Sequence, residues 1–281
     1  MAQGRPGRSP NPLISHGRHF GRTVFVLCNY PSLLTNGILR LQQMEDTPLE
    51  DFAAENRSEE EILHVGELIG KGASGVRGDD TKSLKSAILD WISPKGAAIQ
   101  PPLHRNSKID RGFNHELTGS LLCPAGLDWH DMETRENLRS GESLVCGDPW
   151  PVFLYAHHTY DAEDPWCGLL RSRLLTCAYK HTSPTYIATQ VRFALSSSSV
   201  FSRTDTSTDS EMFYHSLLDL FEDPDESKEV DELLTWWNRY GFPTSSAAKR
   251  PISANSALSK IQIKQLATKN AADSNVIVTS P

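Results

Sequence analysis

The sequence predicts a mainly α protein: a single multi-helix domain over residues 20–241 with long irregular loops, set between a disordered arm at 1–19 and a disordered polar, basic tail at 242–281. Three observations carry that class. Apolar residues recur at three- and four-residue spacings in several separate segments. Most of those segments open on a helix-start signal, either a capping box or a capping side chain followed by proline. The two ends, by contrast, mix Gly, Pro, Ser, Ala and basic residues without an apolar period.

From the N-terminus, Leu34, Ile38 and Leu41 form the first stripe, weakened by Asn36-Gly37. Ser58-Glu-Glu-Glu61 is a capping box ahead of Ile62, Val65 and Ile69, and this helix is expected to stop in Gly70-Lys-Gly-Ala-Ser-Gly75. A second helix places Leu84, Ala87, Ile88 and Trp91 at i, i+3, i+4 and i+7 and ends before Pro94. Residues 95–128 read as irregular, pinned to the core by Phe113, Leu117, Leu121, Leu122 and Trp129, with a short polar helix over 133–139 to follow.

Residues 145–180 hold Trp150, Trp166, an aliphatic run and the adjacent pair His157-His158, and there the densest core and any site are expected. Asp164-Pro165 predicts a capped helix carrying Trp166, Leu170, Leu174 and Cys177. Ser183-Pro184 repeats the device ahead of Ile187, Val191 and Ala194, and the serines at 196–199 mark a break. Thr208-Asp-Ser-Glu211 opens a helix with Phe213, Leu217, Leu220 and Phe221 inward. Asp223-Pro224 opens the last, with Val230, Leu233, Leu234 and Trp237 inward and Gly241 and Pro243 closing it. Beyond it, at most a frayed helix near 257–266 is expected.

Composition narrows the function. The net charge of −7 argues against a surface wholly wrapped in nucleic acid, while leaving room for a local basic patch. Cys28, Cys123, Cys146, Cys167 and Cys177 are irregularly spaced with no CxxC, which reads as free thiols in a reducing compartment. No run approaches the roughly 20 apolar residues of a membrane span. An intracellular protein, not a secreted one, in cytoplasm or nucleus and without a membrane partner, is the expectation.

Gly70-Lys-Gly72-Ala-Ser-Gly75-Val76 has the glycine spacing of a protein-kinase phosphate loop, but no HRD or DFG follows. A P-loop is excluded too, because Gly72 stands where Ser or Thr must hold Mg²⁺. The segment therefore reads as a helix end turned flexible hinge. His157, His158 and Asp161, with Asp164 and His181 nearby, are the candidate metal ligands; adjacent histidines on extended backbone would point apart, which favours one packed and one solvated imidazole. Arg105, Lys108, Arg111, Arg171, Arg173, Arg192 and Arg203 could meet phosphate or carboxylate, with Arg105, Arg171, Arg192 and Arg203 the binding candidates. Trp236 sits off the apolar stripe, a candidate partner contact. Residues 222–232 are acidic with only Lys228 opposing, and Lys249, Arg250, Lys260, Lys264 and Lys269 in the tail have the opposite sign.

Several longer words stand out: Lys71-Gly-Ala-Ser-Gly with Asp79-Asp-Thr-Lys-Ser-Leu-Lys and Asp90-Trp-Ile-Ser-Pro94; Asp110-Arg-Gly-Phe with His115-Glu-Leu-Thr-Gly-Ser-Leu-Leu-Cys-Pro124; and Gly147-Asp-Pro-Trp-Pro-Val-Phe-Leu-Tyr155. The most distinctive are Asp164-Pro-Trp-Cys-Gly-Leu-Leu-Arg-Ser172, Tyr186-Ile-Ala-Thr-Gln-Val-Arg-Phe-Ala-Leu195 and Leu233-Leu-Thr-Trp-Trp-Asn-Arg239. Across roughly residues 20–265 the chain resembles an uncharacterised family of basidiomycete (mushroom-forming fungal) proteins, a domain of unknown function. The resemblance implies a fungal, intracellular protein and brings no activity, cofactor or catalytic residue. The family pattern has more chain between Glu45 and Ser58 and a longer polar insert before Tyr186, both shortened here.

No catalytic residue is assignable and no cofactor is implied. The leading expectation is a non-enzymatic intracellular helical interaction module with protein or nucleic acid as partner, nuclear association through the basic patches being one form of it. The alternatives are a metal-dependent enzyme using His157, His158 and Asp161, and a decayed or transposon-linked copy without activity.

Overall fold

The computed structural model describes residues 11–24, 27–43, 59–94, 97–143, 145, 147–179, 182–199, 209–241, 261 and 264. Among them the protein is mainly α, and the isolated antiparallel bridge Pro124–Pro151 is the extent of its β pairing. The helices are α1 (Pro12–Thr23), α2 (Tyr30–Gln43), α3 (Glu59–Ile92), α4 (Glu116–Leu122), α5 (Met132–Ser140), α6 (Arg173–Ala178), α7 (Pro184–Leu195), α8 (Ser210–Glu222) and α9 (Ser227–Gly241). The chain divides into two compact units, Met1–Val230 and Asp231–Pro281, with the boundary inside α9.

The spine of the first unit is α3. Glu59, Glu60 and Glu61 occupy its first turn, where the helix dipole favours negative charge. It does not stop at 70–75. The two helices expected on either side of that run are one helix of 34 residues, about 50 Å long at 1.5 Å per residue. The reason is non-local. A Cβ on Gly72 would lie 2.2 Å from the Ile14 carbonyl oxygen of α1, and one on Gly17 of α1 would lie 2.3 Å from the Ile69 carbonyl oxygen. Gly21 of α1 meets Ala73, Gly66 meets Pro31, and Gly70 meets the Tyr30 ring. The glycines are thus contact points where α1 and α2 press backbone to backbone on α3, and the packing offsets their poor helix propensity. The reading of this run as a hinge is corrected.

Ion pairs fasten the same interface. Arg18 meets Asp79 at 2.7 Å. Arg22 reaches Asp80 through Nε and Nη2 at 2.9 and 2.6 Å, and the Tyr186 hydroxyl donates to the same carboxylate at 2.7 Å. Asp80 therefore ties α1, α3 and α7 together.

The inner helix is α7, buried at every position from Thr185 to Leu195. Pro184 opens it as expected, although the Ser183 hydroxyl pairs with the Thr185 hydroxyl (2.6 Å) and leaves the backbone amides uncapped. Phe153, Leu154, Leu169, Leu170, Leu174 and Leu175 are all nearly inaccessible, so the 145–180 stretch does supply dense core, and α6 packs against α7.

Its expected helix from Asp164 is corrected. Asp164 accepts from the Trp166 amide (3.2 Å), but Gly168 (φ +74°) and Leu170 (φ +53°) turn left-handed and break any helix there. Glycine suits position 168 because φ is positive there and a Cβ would lie 3.0 Å from the Ala156 Cβ; its carbonyl takes the Ala156 amide at 2.8 Å. α6 starts only at Arg173, capped by Ser172.

Three further differences are local. Residues 12–19, expected in the arm, belong to α1, capped by Asn11 (2.9 Å to the Leu13 amide) with Pro12 behind it. The 95–128 stretch contains α4 and a single 3₁₀ turn at Gly112–Asn114, and Leu121, Leu122 and Trp129 are core rather than surface pins. Asp209 caps α8 through the Met212 amide (2.9 Å), in place of Thr208, which lies outside the described residues. The helix expected near 257–266 also lies outside them, apart from Ile261 and Lys264.

In the second unit, Leu233 and Trp237 are buried. Trp236 is half-buried and stacks on the exposed Tyr240, ring centroids 5.8 Å apart and planes 12° from parallel. No described helix is long and apolar enough to cross a membrane.

Candidate functional site

The C-terminal end of α7 gathers buried positive charge. Lys108 is 5% exposed; its Nζ donates to the Phe193 carbonyl and sits 3.3 Å from the centroid of the Phe193 ring. Arg111 is fully buried and donates to the carbonyls of Ala194 (2.7 Å), Lys85 (2.7 Å) and His104 (3.2 Å). These two side chains satisfy α7's last carbonyls, where the helix dipole favours cations. Their hydrogen bonds go to carbonyl groups and not to carboxylates, and Arg111 Nε has no acceptor. Burial pushes the Lys108 ammonium down to about 7, with Arg111 and Lys85 adding repulsion, and pushes Arg111 down to about 10.

Next to this cluster opens a cleft of about 330 Å³ between the Gly112–Asn114 turn, the end of α5 and the end of α7. Arg139, in α5's last turn, and Arg192, in α7's, both line it, with hydroxyls from Ser140, Ser143, Ser196 and Ser197. Phe113, Leu122, Leu138 and Val145 form its apolar wall. Among the described residues that line it there is no Asp or Glu.

Arg139 is held by the Phe113 carbonyl (Nε, 3.0 Å) and Glu116 (Nη2, 3.2 Å), and lies 5.5 Å from the Trp129 ring. Arg192 is 6% exposed, its guanidinium 4.7 Å from the Phe213 ring. Gly112 (φ +69°) and Gly141 (φ +78°) turn the chain at the cleft's edges in a conformation that glycine adopts without strain.

The residues singled out from sequence are dispersed. Arg105 is exposed and forms a two-pronged pair with Asp90. Arg171 is half-buried, its Nε without an acceptor. Arg203 and His181 lie outside the described residues.

His157 and His158 are both exposed, where one packed and one solvated were expected. Both adopt φ of 57°, so the chain there is a left-handed turn and not an extended segment. Partial desolvation lowers the His158 imidazole, and His157 adds to it. Asp161 accepts from the Glu163 amide at 2.9 Å. Among the described residues no three His, Cys, Asp or Glu side chains come together as a metal-binding group.

Sequence reasoning marked Arg192 but missed Arg139 and the serines around it. Arg139 carried only the local signal of a base in a helix's last turn, and its meeting with Arg192 depends on chain folding between positions 53 residues apart.

The profile of a family of unknown function (DUF6698) matches residues 71–185 and 183–242, together more than half of the chain. All the words quoted above for the resemblance fall inside it, while α1, α2 and the first turns of α3 precede it. The two matched segments meet at 183–185. No curated protein and no solved structure matches the chain.

Proposed function

Because the chain belongs to the DUF6698 family, whose function is unknown, membership brings no activity with it, and we infer from its own surface that it is a helical interaction module binding a basic protein segment. The observation that carries this reading is the aromatic ladder on α9. Glu232, Trp236 and Tyr240 fall at i, i+4 and i+8, on one stripe, with the two rings stacked and Tyr240 49% exposed. Tryptophan and tyrosine dominate binding hot spots because a rigid ring buries a large area at little entropic cost. Asp231 and Glu232, in the same unit as the two rings, add negative charge that selects for a basic partner and against phosphate backbones.

Commitment of the cations elsewhere supports protein over nucleic acid. Arg105 is held by Asp90, Arg18 and Arg22 by Asp79 and Asp80, and Lys108 and Arg111 by carbonyl groups. The proposed setting is a reducing compartment inside a fungal cell, as the motif resemblance and the irregular cysteine spacing without a CxxC imply. The junction ahead of α7, where the resemblance implies a shortened insert, is closed by the Ser183 amide on the Arg22 carbonyl (3.0 Å), which favours an intact module over a decayed copy.

Hydrogen–deuterium exchange of the full chain tests the reading, with an amphipathic leucine–lysine peptide as probe. Slowed exchange confined to α9 is expected; unchanged exchange in α9 at saturating peptide overturns it.

A further inference from the structure

We propose that the α9 stripe selects arginine over lysine in its partner: a guanidinium lies on the Trp236 indole and forks onto the Glu232 carboxylate. The proposal rests on the reading of α9 as the surface for a basic segment and names the residue that surface selects. Side chains on a helix lean toward its N-terminus, so Tyr240 lies back on Trp236, and the indole in turn leans toward the turn that carries Glu232. The ring planes of Trp236 and Tyr240 are 12° from parallel, which puts Tyr240 on one indole face and leaves the other on the Glu232 side. The buried Trp237 meets Trp236 in a T-shaped contact, centroids 5.1 Å apart and planes 87° from parallel. The indole is thus braced before any partner arrives, which lowers the entropy lost on binding.

Charge fixes the side of entry. Glu232 is exposed, and among the described residues no ion pair or hydrogen bond holds its carboxylate. Asp231, also exposed, adds a second negative charge beside it. Arg239 lies on the far side of the indole, seven residues on from Glu232 and about 10 Å along the helix axis. A cation is therefore drawn to the N-terminal side of the ring. There an aromatic face and an uncommitted carboxylate stand one helical turn apart. A guanidinium serves both at once, because it is flat, stacks on an indole and presents two parallel N–H donors in its own plane to a carboxylate. A lysine ammonium is a compact, strongly hydrated point charge that makes neither the stack nor the fork.

The probes are a labelled amphipathic leucine–lysine peptide and its counterpart with arginine at every lysine position, each titrated into the full chain at physiological salt. The wild type should bind the arginine peptide about three- to tenfold more tightly, the worth of an exposed cation–π contact with one further hydrogen bond. Glu232→Gln removes the charge that the fork needs and should bring the ratio of the two affinities close to one. Trp236→Leu removes the aromatic face and should do the same. Glu232 is exposed, so Glu232→Gln keeps the test valid if Trp236→Leu folds poorly. Equal affinity of the wild type for the two peptides, with exchange in α9 still slowed by both, overturns the arginine preference and leaves the α9 surface standing. An arginine preference that persists undiminished in Glu232→Gln also overturns it. Binding of neither peptide overturns the α9 reading and this proposal together.

Discussion

Gly72→Ala and Gly78→Ala should move stability in opposite directions, although local reasoning treats them alike. Both sit inside α3, and replacing a helical glycine with alanine gains about 1 kcal/mol of propensity. At Gly78 a Cβ meets nothing within 4 Å, so that gain should appear almost whole. At Gly72 the Cβ falls 2.2 Å from the Ile14 carbonyl oxygen and 2.9 Å from the Arg18 amide nitrogen, both backbone atoms of α1. Ordinary contact begins at 3.4 Å, so α1 must retreat by more than about 1 Å along the face that Arg22 and Asp80 hold closed. Overpacking of that kind costs about 3 kcal/mol, and subtracting the propensity gain leaves about 2 kcal/mol of destabilisation. At about 2–4 °C per kcal/mol for a chain of this size, Tm should fall by roughly 4–8 °C for Gly72→Ala and rise by roughly 2–4 °C for Gly78→Ala. Calorimetry on both variants measures this. A Gly72→Ala protein as stable as Gly78→Ala would refute the close approach of α1 and α3 and revive the hinge.

Three further outcomes follow from particular contacts. Asp80→Asn should cost about 1–3 kcal/mol, because it weakens the partly buried tie among Arg22, Tyr186 and α3, whereas Asp79→Asn at the exposed pair with Arg18 should cost under about 0.5 kcal/mol; urea unfolding separates them. Lys108 has its folded value depressed from 10.5 to about 7, so between those limits the unfolded chain binds the extra proton and stability rises with pH, by about 1.4 kcal/mol per unit from this group. Urea titrations at pH 7 and pH 9 should show that rise in the wild type and a flatter one in Lys108→Met; equal slopes would contradict the burial of an ammonium at α7's end. Gly119→Ala should destabilise by about 1–3 kcal/mol, since its Cβ would lie 2.3 Å from the Trp129 ring, and near-ultraviolet circular dichroism should register the displaced indole.

The parts of the fold legible in sequence were those with local causes. Ser183-Pro184, Asp223-Pro224 and the acids at 59–61 place helix starts because capping and proline act within a few residues. The stripes with Val191 and with Phe213 and Leu217 came out buried for the same reason. Gly70 to Gly75 misled because glycine breaks a helix by local propensity, and only the distant Gly17 and Gly21 reveal that it is there to let α1 approach. Asp164-Pro165 misled because the same pair starts a tight turn as readily as a helix, and the left-handed Leu170 that decides the matter has no sequence signature. The candidate cleft was half visible. Arg192 was grouped with other arginines as able to meet phosphate or carboxylate, but the gathering of Lys108 and Arg111 on α7's last carbonyls is a property of assembled space.

The interaction module itself is tested most directly by fluorescence anisotropy of a labelled amphipathic leucine–lysine peptide and of a labelled single-stranded DNA, each titrated with wild-type chain and with Trp236→Ala at physiological salt. The account predicts saturable binding of the peptide, weakened at least about tenfold by Trp236→Ala as expected for a hot-spot aromatic, and no saturable binding of the DNA. Peptide binding indifferent to Trp236, or DNA bound in preference to peptide, would contradict it.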